Sequence, residues 1–153
     1  MAIAQVPVIA ERTARATWSG PLATGRGRVT SGSGALSDLP VTWASRIHAP
    51  EGRTSPEELA AAAHATCFSM ALALRLDEHD VPPQRLDVTA TVSLDDVDGR
   101  PTVVSSVLQV TAQVVDLEDA AFQRIVDEAV SLCPISRLFG GALITVEANL
   151  DGT

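Results

Sequence analysis

One alanine-rich segment with well-marked ends constrains the fold more than any other feature of the sequence. Ser55-Pro56-Glu57-Glu58 has the order of a helix start, with serine at the N-cap, proline at N1 and Glu58 closing a capping box from N3. Leu59 to Leu76 follows with apolar residues on nearly every side, and Pro82-Pro83 stop the pattern just after His79. A helix with so little polar surface needs cover all round, which predicts a buried helix at the centre of the molecule. His64 and Arg75 interrupt the apolar run and favour a core helix over a membrane span.

The flanking segments change period. Ala14–Ser19, Gly27–Ser31 and Val41–Ile47 read as short strands, divided by Ser19-Gly20-Pro21 and by Ser31-Gly32-Ser33-Gly34. The second divider lacks a following Lys-Ser/Thr and opens no helix, so it reads as a turn and not as a phosphate loop. Leu86–Leu94 and Thr102–Val115 alternate apolar with polar, and Asp95–Gly99 between them is the turn of a hairpin. Those aspartates lack the spacing of a calcium loop. A second helix starts near Asp116 or Glu118, with Phe122, Ile125, Val126, Ala129, Val130 and Cys133 on one apolar stripe. Leu143–Leu150 alternates again. The order predicts an α+β protein, with antiparallel sheets packed on two main helices. No linker or repeat divides it, so residues 1–153 read as a single domain with residues 1–13 as a loosely ordered arm.

The net charge of -8, with every base an arginine, disfavours nucleic acid and anionic membrane as partners. Met1–Ala10 is apolar but broken by Pro7, and it lacks the basic start of a signal peptide, so the expected location is the cytoplasm. Cys67 and Cys133 are the only thiols. In a reducing compartment a bridge between them is transient and catalytic, not structural. Each also has a plain reading as a small buried hydrophobe. Cys133 falls at a special place that favours a redox role: if a helix restarts at Pro134, it occupies the N-cap, where the dipole favours a thiolate. His64 lies one turn before Cys67 and reads three ways: as a base for the thiol, as a zinc ligand with the two cysteines, or as a packed core residue. His48 and His79 supply no obvious fourth ligand.

Pro56-Glu57-Glu58-Leu59, Ala62-Ala63-His64-Ala65, Cys67-Phe68-Ser69-Met70-Ala71-Leu72 and Cys133-Pro134-Ile135-Ser136 resemble the signature of the OsmC/Ohr family of organic hydroperoxide reductases. Trp18-Ser19-Gly20, Gly25-Arg26-Gly27, Ser33-Gly34 and Ser45-Arg46 extend the likeness, which is nearer the OsmC branch. The resemblance implies an intertwined homodimer with active sites at the subunit interface. It also implies a peroxidase that uses neither metal, flavin nor haem. Cys67 would attack an organic hydroperoxide, Cys133 would resolve the sulfenic acid as a disulfide, and a dithiol reductant of the lipoyl type would restore both. The family's arginine, held by a glutamate, matches Arg46 and Glu57, with Arg26 and Arg28 as alternatives. Glu57 and Cys67 stand about 15 Å apart along one helix, so Arg46 and Glu57 are expected to serve Cys67 of the partner subunit. Phe68, Met70, Leu72 and Phe139 are expected to line an apolar pocket. The rival reading is a non-enzymatic dimer of the same fold that binds a small hydrophobic ligand and keeps its cysteines for packing.

Overall fold

The computed structural model describes residues 8–151. Residues 1–7 of the expected arm lie outside the described residues, and 8–13 are largely irregular and exposed. The chain divides into two compact units at Ser55/Pro56.

The first unit is an antiparallel meander of β1 (Ala14–Ser19), β2 (Arg26–Ser31) and β3 (Leu39–Val41). The glycines flanking Arg26 make room for an indole. A Cβ on Gly27 would stand 2.7 Å from a ring carbon of Trp18, and one on Gly25 would meet the Pro21 carbonyl at 2.4 Å. Trp18 Nε1 donates to the Gly20 carbonyl at 2.9 Å. The expected strand Val41–Ile47 is a correction: pairing stops at Val41, and Trp43–Ile47 is a short helix, α1. Thr42 and Ser45 form a reciprocal capping box that starts this helix. The Ser45 hydroxyl is also within 3.0 Å of the Thr54 carbonyl, which carries the returning chain past β3.

The second unit contains α2 (Pro56–Glu78), the hairpin β4 (Arg85–Val97) and β5 (Arg100–Gln113), then α3 (Asp119–Leu132), α4 (Pro134–Leu138) and β6 (Leu143–Leu150). Helix α2 ends before the prolines act. Asp80 takes a left-handed conformation, φ 60°, while its N–H bonds the Asp77 carbonyl and the Val81 N–H bonds that of Leu76, a Schellman motif. The hairpin strands run further than expected. Only Asp98 and Gly99 form the loop, both at positive φ as a two-residue type I′ turn requires. Asp96 caps this turn, its Oδ1 accepting the Gly99 N–H at 2.8 Å.

The sheet order is β4-β5-β6, and here the expectation of antiparallel sheets fails in part, because β6 runs parallel to β5. A parallel neighbour needs a crossover, which α3 and α4 supply. Along β5, Ser106, Leu108, Val110 and Ala112 are buried, while Gln109 and Thr111 are exposed. One sheet face therefore meets the helices, and the other presents polar side chains. Phe68, Leu72, Leu76, Leu108 and Phe122 are fully buried there, and each such burial contributes about 1.5–3 kcal/mol.

Helix α2 is long and apolar enough to pass a test for membrane spans by length and composition. Its buried residues, however, pack on a sheet, and Arg75 and His79 at its C-terminal end pair with Glu128 of α3 at 2.8 and 3.1 Å. Burial on all sides is not what a single chain provides. One stripe is covered, whereas Met70 and Leu74 are 69 % and 53 % exposed.

Candidate functional site

The buried stripe of α2 steps by four residues through His64, Phe68, Leu72 and Leu76. Cys67 lies one position off that stripe, half-buried at its edge. Cys133 is fully buried, ending α3 and serving as N-cap of α4 with φ −63° and ψ 114°. The backbone turns here because Pro134 cannot donate to the α3 ladder but fits the first position of a new helix.

The first turn of α4 directs its N–H groups at sulfur. Ser136 N–H donates to Cys133 Sγ at 3.5 Å, and the Ile135 N–H lies near enough to the Cys67 sulfur to favour its thiolate. The two free thiols are close neighbours. Burial pushes the Cys67 thiol above its ordinary pKa and the neighbouring Cys133 adds to the rise, against the opposing pull of the Ile135 N–H. The balance favours the neutral thiol.

His64 is fully buried beside this pair. Its Nδ1 lies 2.6 Å from Ser106 Oγ on β5, and its Nε2 lies 2.8 Å from Ser136 Oγ on α4. The Phe139 ring covers it at 5.1 Å between centroids. Burial lowers its pKa, so the imidazole is neutral, with one nitrogen donating and the other accepting. Both nitrogens are taken by serine hydroxyls, so the ring offers zinc no lone pair. Among the described residues no group of three or more His, Cys, Asp or Glu is placed to hold a metal.

These geometric features accompany a match of residues 49–149 to the family described as OsmC-like protein. The chain belongs to the OsmC family. It is 38 % identical to the peroxiredoxin OsmC of Escherichia coli over 136 residues, covering 89 % of this chain and 94 % of that one. It is 30 % identical over 102 residues to organic hydroperoxide resistance protein-like 2 of Staphylococcus epidermidis, covering 65 % and 68 %. The crystal structure of the organic hydroperoxide resistance protein OhrB of Bacillus subtilis superposes with a TM-score of 0.66 at 28 % identity, covering 91 % of this chain and 98 % of the other.

Of the four residues expected to act together in this OsmC-family chain, Cys67 and Cys133 are adjacent. Glu57 is the second residue of α2, about ten helical rises or 15 Å from Cys67 along the axis. Arg46 belongs to the first unit, where it lies in α1 and not in a strand, its guanidinium 5.9 Å from the centroid of Trp43. Of the alternatives, Arg26 opens β2, and Arg28 pairs with Asp38 at 3.2 Å. The expected apolar lining is corrected at two positions: Phe68 and Leu72 are fully buried in the core because they fall on the His64 stripe.

Two residues of the OsmC-family site escaped the sequence reading as functional groups. Ser106 is a polar side chain in the buried phase of β5, among Leu108, Val110 and Ala112, and that misfit was the available signal. Ser136 stood in the quoted Cys-Pro-Ile-Ser segment, but its hydroxyl partner lies 72 residues away, which no local pattern reveals.

Proposed function

We propose that this chain is a cysteine peroxidase that reduces organic hydroperoxides to alcohols. The observation that carries the reading is the neighbouring pair Cys67–Cys133 at the first turn of α4. In the first step the Cys67 thiolate attacks one peroxide oxygen, the O–O bond breaks, and the alkoxide takes up a proton to leave as alcohol. Cys67 is then a sulfenic acid. Cys133 attacks that sulfur, the S–O bond breaks, and water leaves with the formation of one disulfide. A dithiol, of the lipoyl type, regenerates both thiols by exchange and becomes the disulfide itself. No step uses a metal, flavin or haem. A cycle that ends in a reduced dithiol fits the cytoplasm.

A cation that would stabilise a Cys67 thiolate is assigned to Arg46, oriented by Glu57. Because Glu57 is so far along α2 from Cys67, the pair is assigned to Cys67 of the partner subunit in a homodimer. The uncovered apolar face of α2 at Met70 and Leu74 supports such an assembly. Arg26 and Arg28 are the alternative cations.

Purified protein with cumene hydroperoxide is expected to turn over with dithiothreitol, and at least tenfold more slowly with a monothiol at equal thiol concentration. Absence of consumption with dithiothreitol would leave the ligand-binding alternative in its place. Arg46→Ala is expected to move the pH midpoint of Cys67 alkylation upward, because burial and Cys133 then act without an opposing charge. Glu57→Gln should move it the same way by less. An unchanged midpoint in Arg46→Ala, with an upward shift in Arg26→Ala or Arg28→Ala, transfers the role to that arginine.

A further inference from the structure

Among the described residues, His64 is the fully buried ionisable group beside the cysteines that the proposed cycle leaves without a task, and its surroundings indicate one. Two spacings match. His64 and Cys67 are three residues apart on α2, and Cys133 and Ser136 are three residues apart across the start of α4. The pairs meet crosswise, His64 with Ser136 at 2.8 Å and Cys67 with Cys133. The two helices therefore meet at two points one turn apart, where the two sulfurs are neighbours and where an imidazole–hydroxyl bond joins them. Ser136 lies at both ends of this arrangement, since its N–H is bonded to Cys133 Sγ and its hydroxyl to His64. On the far side of the ring, Ser106 ties His64 to β5, the central strand of the sheet.

A five-residue helix such as α4 has little stability of its own and is held by what it packs against. Two links that hold the same segment reinforce each other, because each raises the effective concentration at which the other forms. We infer that the His64–Ser136 hydrogen bond is a positioning device for the redox pair, anchoring α4 to α2 so that Cys133 stands ready to close a disulfide on Cys67. His64 and Ser136 touch no peroxide in this scheme and act only through the placement of Cys133. The inference rests on the peroxidase reading for its purpose, but the disulfide it concerns is measurable without any peroxide.

Equilibration of the full-length protein in glutathione redox buffers gives the exchange constant for the Cys67–Cys133 disulfide. Ser136→Ala removes one hydroxyl and keeps the volume of the turn, and the constant is expected to fall about tenfold, equivalent to about 30 mV for this two-electron couple. His64→Leu removes the same link from its other end and should fall to within twofold of Ser136→Ala. The double variant should fall no further, because either change alone already breaks the bond. Ser136→Thr, which keeps a hydroxyl, should restore the constant to within threefold of the parent. Ser106→Ala, on the sheet side of the ring, should lower it by less than threefold. A Ser136→Ala constant within twofold of the parent overturns the inference, as does a Ser106→Ala loss as large as that of Ser136→Ala. If either Ser136→Ala or His64→Leu fails to fold, the other gives the same reading. A parent protein that forms the disulfide but consumes no hydroperoxide sinks the peroxidase reading alone. One that consumes hydroperoxide while Ser136→Ala keeps the parent constant sinks the anchoring role alone, and one that forms no disulfide sinks both.

Discussion

Cys67→Ser is expected to lower kcat/KM for cumene hydroperoxide by at least about 1000-fold, equivalent to about 4 kcal/mol of transition-state stabilisation. A hydroxyl is far less ionised than a thiol at neutral pH, and oxygen cannot pass through the sulfenic acid on which the cycle depends. The substitution is mild for the fold. Cys67 is half-buried, and a serine there can still accept the Ile135 N–H that now reaches the sulfur. Loss of activity should therefore come with an unfolding temperature near that of the parent. Peroxide consumption above a tenth of the parent rate in a folded Cys67→Ser protein would remove Cys67 from the chemistry.

Cys133→Ser should separate the two halves of the cycle. The first equivalent of hydroperoxide gives the sulfenic acid, and in excess peroxide a second and a third are reduced as Cys67 gains two and then three oxygens by intact mass, after which consumption stops. Structure gives this variant a clear interpretation. Cys133 is the N-cap of α4 and its sulfur accepts the Ser136 N–H, a task for which serine is a preferred residue. The first turn of α4 should thus persist, and the lost function is attributable to the missing thiol. Sustained turnover of Cys133→Ser with dithiothreitol, at more than half the parent rate, would show that an external thiol resolves Cys67 directly.

Much of this arrangement was legible in the sequence because local rules determine it. The Ser-Pro-Glu-Glu start placed α2 to the residue, and Pro134 after an apolar stripe placed Cys133 at a helix junction, where the structure has it. The misreadings have physical causes. Thr42 and Ser45 cap a helix with serine where glutamate is the usual third residue, so a β-like composition over Val41–Ile47 prevailed. Alternation in Leu143–Leu150 identifies a strand but carries no direction, and the crossover through α3 and α4 was the stronger guide to its parallel pairing. Phe68 and Leu72 were assigned to a pocket from proximity in sequence to Cys67, whereas the helical period turns them to the opposite task of filling the core. The His64 network depends on residues from three elements and could not be read from any one of them.

The parallel pairing of β5 with β6 also bears on how the molecule is made. The hairpin β4–β5 closes through a two-residue loop and can form as soon as it is synthesised, but β6 can pair only after α3 and α4 have crossed the sheet. Cys133 sits inside that crossover, 66 residues after Cys67 in the chain. At about 5–20 residues per second of synthesis, Cys67 leaves the ribosome seconds ahead of its partner thiol. Until the crossover is made the two thiols are not held together, so the pair proposed as the redox site belongs to the completed unit and not to the emerging chain.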